Sequence, residues 1–247
     1  MDDVVDVSPE RCAALVAPEC ERLTFAVVRM TTARGAAAAA RYGLSRDAMT
    51  MFAQLRTGLL ARSISGAGVA AVYRYRATAD VRRDVGELQA ANLVDVADDG
   101  AITATDTGRG LLAVMYGVSA ECASELWGSH SDTVAHLNRI AGRVIEAGVL
   151  TGGEAFRALA PPYEPAGADV ALVLHHRLSA LRYHRADAHA AAWHAAGQTA
   201  QTMAELPAGA ERDRIEADTN RRAGSPYASL TVTERSNFVQ GLASLPG

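Results

Sequence analysis

Apolar and polar positions along this chain repeat mostly at the spacing of a helix. Ser8-Pro9-Glu10 has the order of a helix start: a serine cap, a proline at the first helical position, then an acid near the positive end of the helix dipole. Leu15, Leu23, Val27 and Met30 recur on one face, and Gly43 ends the run. Ser45 and Asp47 open a second long helix, with Met49, Phe52, Leu55, Leu59 and Leu60 at roughly i, i+3, i+4 spacing. Residues 63–68 (SISGAG) read as a loop or hinge. Short helices are predicted over 69–75 and 78–91, the latter with Val81, Val85 and Leu88 on one face. Asn92 stands where a left-handed helix cap is expected, a conformation asparagine tolerates. Residues 93–97 (LVDVA) alternate apolar and polar, as does Ile102 with its threonine neighbours, and Asp98-Asp99-Gly100 between them predicts a hairpin turn. Thr105 and Asp106 then offer caps for a helix carrying Leu111, Leu112 and Met115.

Beyond Gly128 the pattern is nearly all helical. Ser131 or Asp132 begins a helix to about residue 147, and Thr151-Gly-Gly-Glu154 has the spacing of a capping box before a short one. Residues 160–167 (APPYEPAG) form the best linker candidate. A long helix is predicted over 169–196, stopped by Gly197, then one over 211–223. Thr231-Val-Thr-Glu234 is a second capping box, opening a final helix to about residue 245. These elements predict a mainly α protein in two parts. Residues 1–128 would form a helical lead-in and a helix-turn-helix module with a small β-hairpin. Residues 129–247 would form a helical bundle domain for ligand binding or dimerisation.

Composition narrows the class. Charged residues make up 21% of the chain and hydrophobic ones 49%, which argues against disorder. All 24 cationic side chains are arginine, a bias first of coding rather than of function. A net charge of -4 argues against wholesale coating of nucleic acid but leaves room for a local basic patch. The N-terminal MDDVVDVSPE lacks the basic and apolar regions of a secretory signal, and no run is apolar enough to predict a membrane span. Three cysteines without a CxxC pair suit a reducing, cytoplasmic setting and buried packing. No cofactor is implied.

Residues 84–111 (DVGELQAANLVDVADDGAITATDTGRGL) resemble MarR-like winged-helix regulators. In that family a recognition helix ends in a Leu-x-x-x-Gly/Asn-Leu-Val phrase, here Leu88, Asn92, Leu93 and Val94. After a hairpin wing, a Thr-x-x-Gly-Arg-x-Leu phrase begins the next helix, here Thr105, Gly108, Arg109 and Leu111. The resemblance implies a winged helix contacting double-stranded DNA. Arg74, Arg76, Thr78, Arg82, Arg83 and Gln89 lie in or just before the recognition helix, where arginine neutralises phosphate and reads guanine edges. Asp80, Asp84 and Glu87 on the same helix oppose this. So does the wing tip, Asp98-Asp99, where the family usually carries an arginine.

The second centre of polar chemistry is the long helix, which holds His175, His176, His184, His189 and His194. No two are four residues apart, so one helix does not make a zinc site here, and no metal is expected. At 100° per residue, Val170, Leu174, Leu178, Leu181, Ala188 and Ala192 form an apolar stripe with Arg185 near its centre. Arg182, His189 and Trp193 flank it, with His175 further up that edge; His176, Tyr183, Asp187 and His194 are expected on an exposed face. His175, Arg182, Arg185, His189 and Trp193 therefore make a candidate pocket for a small acidic or aromatic ligand. The plainer reading is a structural ion pair to Glu146, Glu205 or Glu216. The stretch 181–189 (LRYHRADAH), with 215–222 (IEADTNRR) and Pro226-Tyr227, resembles an uncharacterised bacterial helix-turn-helix family. Its members join a winged helix to a mostly helical domain, which implies an architecture but no reaction.

Two functions follow as expectations. One is a ligand-responsive, dimeric transcription regulator. The other is a small-molecule-binding resistance protein or an enzyme that keeps the winged-helix fold without DNA binding, with His184, Asp187 or His189 as acid-base candidates.

Overall fold

A computed structural model describes residues 7–247, except for the side chains of residues 35–41; the N-terminal stretch read above as lacking a secretory signal lies largely outside the described residues. The protein is mainly helical with one small antiparallel sheet. Helix α1 (Pro9–Arg41) continues through Pro18, and α2 (Arg46–Ala61) starts at the Ser45 cap, whose side chain accepts from the Ala48 amide. The stretch expected to be a loop at 63–68 is mostly ordered. Ile64 bridges to Ile102, and Ser65 caps α3 (Gly66–Val72), so the glycines there begin a helix.

Helix α4 (Thr78–Ala90) ends as its asparagine predicts. Asn92 adopts φ 55°, its amide bonds to Gln89, and the Leu93 amide reaches back to the Leu88 carbonyl. The chain then enters β1 (Val94–Val96), turns at Gly100 with φ 78°, and returns as β2 (Ile102–Ala104). The pairing sets Val94 against Ala104 and Val96 against Ile102, so Val94, Ile102 and Ala104 are buried on the inner face. Thr105 then joins two elements. Its hydroxyl donates to the Asn92 carbonyl at 2.6 Å and accepts from the Gly108 amide at 3.0 Å, capping α5 (Asp106–Trp127). A side chain at Gly108 would stand 2.0 Å from the Leu93 carbonyl oxygen, so glycine is required where α5 crosses the strand entrance.

The remaining helices are α6 (Ser131–Gly148), α7 (Glu154–Leu159), α8 (Val170–Ala195), α9 (Ala200–Glu205), α10 (Ala210–Gly224) and α11 (Val232–Ser244). The capping box at Thr231 and Glu234 forms with both of its bonds. The one expected at Thr151 does not. The cap position of α7 is Gly153, which has no side chain, and Thr151 instead contacts His184. The α7 cap comes from another helix: Asp187 of α8 accepts from the Phe156 amide at 2.8 Å. Gly153 permits this, since a Cβ there would lie 2.8 Å from the Asp187 carboxyl carbon.

Two large cores form, and they divide the chain otherwise than at residue 128. Leu23, Trp127, Leu137, Val144, Leu174 and Phe238 belong to one, so α1 packs with the C-terminal helices. Phe52, Leu55, Leu88, Leu93, Leu112 and Leu159 belong to the other, so α7 packs with the hairpin segment. The proline-rich stretch 160–167 is fastened down, with Glu164 paired to Arg177 and the Pro161 carbonyl accepting from Arg62. Helix α8 packs against α1, α5, α6, α7 and α10. Of the four residues expected on its exposed face only His194 is exposed: His176 is buried, Tyr183 is half-buried and the Asp187 side chain is 9% exposed. No helix among the described residues is long and apolar enough to cross a membrane.

Candidate functional site

Helix α4 sorts its charges by face. Thr78, Ala79, Arg82, Arg83, Gly86, Gln89 and Ala90 point outward as one continuous stripe. The acids lie elsewhere. Asp84 is fully buried and accepts from Arg76 at 2.6 Å and from Arg83 at 3.0 Å. Glu87 accepts from the Ser45 amide at 2.9 Å, which ties α4 to the start of α2 and holds its carboxyl below the usual range. Asp80 pairs with Arg83 at 2.9 Å along the helix. The outer stripe thus carries two arginines, a glutamine and a threonine between small residues, and nothing lies within 4 Å of where a Gly86 Cβ would stand.

The arginines before α4 are structural. Arg74 pairs with Asp187 and donates to the Ala186 carbonyl, joining the end of α3 to α8. Arg76 pairs with Asp84 while its guanidinium lies 5.7 Å from the centre of the Tyr73 ring. Of the six residues expected to contact DNA, the structure brings Thr78, Arg82, Arg83 and Gln89 together on one surface and turns Arg74 and Arg76 inward. At the hairpin tip Asp98 and Asp99 are exposed, and Asp99 accepts from the Ala101 amide at 2.9 Å as part of the turn.

The polar group on α8 lines a cleft of about 700 Å³ between α1, α8 and α10. Arg182, Arg185, His184 and His189 all reach it. Arg185 has the structural partner foreseen for it: it pairs with Glu216 and donates to Asn220 Oδ1 at 2.8 Å. His189 Nδ1 lies 3.1 Å from the Thr219 hydroxyl, and burial lowers its pKa. Arg182 stacks on Phe25, 4.6 Å from the ring centre. Glu21, Asp213 and Glu216 line the same walls as Arg182, Arg185 and Arg212. Two residues expected at this pocket lie outside its lining. Trp193 donates to the Tyr75 hydroxyl at 3.2 Å and packs with Met203 and Ile215. His175 is buried against His176, their ring centres 5.4 Å apart.

The acid-base candidates do not form a set. Asp187 is bound to Arg74 and the α7 amide, His184 contacts Thr151 at 3.0 Å, and His189 contacts Thr219. Among the described residues no group of three or more His, Cys, Asp or Glu is placed to hold a metal. Cys12, Cys20 and Cys122 are free and buried; burial pushes the first two thiols up to about 12.

Sequence reasoning missed Arg56 and Tyr116, which meet His176 in the interior. The signal for Arg56 was present: four residues after Phe52 and three before Leu59, it falls on the apolar face of α2. Comparison with protein-family models, curated proteins and solved structures finds no match to this chain.

Proposed function

We propose that the segment from α2 to α5 is a winged helix that binds double-stranded DNA through the outer face of α4, and that the helical remainder senses a small acidic or aromatic ligand. The observation that carries this reading is the α4 surface. Its acids are turned inward or along the flank, and Arg82, Arg83, Gln89 and Thr78 stand outward among small side chains. Arginine and glutamine are the side chains that read guanine and adenine edges, and small neighbours allow a helix to seat in a groove. The order helix, bridging residue, two helices and hairpin is that of a winged helix. Asp98 at the tip keeps the hairpin from phosphate, so in this reading the helix docks without help from the wing.

The test is binding of duplex DNA across a salt series. Wild type should show a linear loss of log affinity with log salt; Arg82→Ala/Arg83→Ala should weaken binding and lower that slope by about 0.9 for each of the two that contacts a phosphate, or relax sequence preference for each that reads a base edge. No binding at low salt refutes the reading. Light scattering of the complex reads whether a homodimer places two α4 faces on one duplex.

The acidic hairpin and the inward Arg74 and Arg76 favour a second reading, a small-molecule-binding protein or enzyme on a winged-helix frame that does not touch DNA. The same titration decides between them.

A further inference from the structure

Arg56 enters the interior from α2 and is buried. Its Nη2 donates to His176 Nε2 at 3.2 Å, its Nε has no partner, and among the described residues no carboxylate pairs with it. Burial draws its pKa down to about 10, so it remains charged at neutral pH. A guanidinium only donates, so His176 Nε2 must accept and Nδ1 must carry the ring hydrogen. The backbone of Tyr163 hydrogen-bonds this ring and opposes the effect of burial, which leaves Nδ1–H aimed at the 160–167 connection and away from Arg56. The Tyr116 hydroxyl is buried without a partner as well, and its ring centre lies 5.4 Å from that of His176. The adjacent His175 leaves Nδ1 unpartnered. Both histidines are held neutral by burial, with Arg56 opposing their protonation.

The cluster therefore holds one positive charge with no carboxylate partner among the described residues and two unused donors, Arg56 Nε and the Tyr116 hydroxyl. A buried charge and buried donors require an acceptor, and an anion that meets all of them satisfies both at once. The Tyr116 ring meets Tyr163 of the 160–167 connection edge-on at 5.8 Å, and both residues are partly exposed.

We propose that Arg56 and Tyr116, beside His176, form a binding site for a carboxylate group, entered past Tyr116 and Tyr163. The site is separate from the Arg182–Arg185 cleft and independent of DNA contact by α4. The carboxylate belongs either to a small free acid or to an aromatic acid whose ring lies against the tyrosines.

The test titrates the full chain with sodium acetate and sodium benzoate at constant ionic strength, with chloride as the reference anion. Calorimetry reads binding, and the nitrogen resonances of the His176 ring read its place. Saturable binding that moves these resonances supports the site; tighter binding of benzoate identifies an aromatic acid, and of acetate a small free one. Arg56→Met should weaken binding roughly tenfold or more, and Arg139→Ala, an exposed arginine of α6, should leave it unchanged. Should Arg56→Met fail to fold, Tyr116→Phe, which keeps the ring and removes one donor, should weaken binding several-fold. The proposal is overturned by no saturable response at millimolar acid, by an equal response to chloride, or by binding lost in Arg182→Ala and kept in Arg56→Met or Tyr116→Phe.

Discussion

Replacing Asp187 by alanine removes two interactions at once. One carboxylate oxygen pairs with Arg74, and the other caps α7 through the Phe156 amide. The side chains of Arg74 and Asp187 are only 14% and 9% exposed, so water does not take over either role fully. Breaking a buried pair costs about 3–5 kcal/mol. Arg74 keeps the Ala71 and Ala186 carbonyls at 2.7 and 3.1 Å, which places the loss at the lower end. The missing helix cap adds about 1 kcal/mol. The sum is about 4 kcal/mol, or roughly 10 °C in melting temperature for a chain of this length. Urea unfolding followed by circular dichroism measures it. Asp187→Asn, which retains a cap acceptor, should lose less than Asp187→Ala, and Arg74→Met/Asp187→Leu should recover much of the loss. A loss below about 1 kcal/mol in Asp187→Ala refutes the argument. It would also return Asp187 to the acid-base role considered for it, because a catalytic carboxylate need not hold the fold together.

Stability should fall as pH drops below about 6.5, the ordinary histidine value. His175 is held down to about 3, and His176, His184 and His189 are also lowered, each chiefly by burial. Between those values and 6.5 the unfolded chain binds more protons, so each histidine still neutral in the fold costs up to about 1.4 kcal/mol per pH unit. Denaturant midpoints between pH 7.5 and 5.5, above the carboxylate range, should fall steadily, and His175→Leu should flatten the slope; a flat wild-type profile contradicts the burial argument. Gly108→Ala should destabilise by about 1–3 kcal/mol because its Cβ meets the Leu93 backbone. Gly110→Ala, with nothing within 4 Å, should stabilise by about 0.5–1 kcal/mol. Equal melting temperatures for the two glycine variants would contradict the close approach of α5 to the strand.

Much of the secondary structure was legible because its signals are local. Ser45, Thr105 and Thr231 cap the helices they announce, and Asn92 takes the left-handed turn. The alternation in 93–97 and 102–104 becomes a register that buries Val94 and Ile102. Caps and periodicity act within a few residues, so a single segment carries them whole. The convergence of Arg182, Arg185 and His189 was legible for the same reason, since one helix sets their phase.

What the local pattern could not supply was which faces meet. The stripe on α8 suggested one inner and one outer side, but five helices pack against it, bury His176 and leave little of the Asp187 side chain exposed. The cap of α7 was sought at Thr151, three residues before Glu154, and comes from Asp187, more than thirty residues further along the chain. Asp80, Asp84 and Glu87 seemed to cancel the arginines of α4 because sequence gives charge without orientation; the preceding loop and the start of α2 draw Asp84 and Glu87 off the outer face, while Asp80 stays at its flank and pairs with Arg83. Arg56 stood on an apolar face from the start. Only tertiary packing, with α5 set against both α2 and α8, leaves it buried beside His176 and Tyr116 with no carboxylate to meet among the described residues, because a charge's partners come from the elements that fold around it.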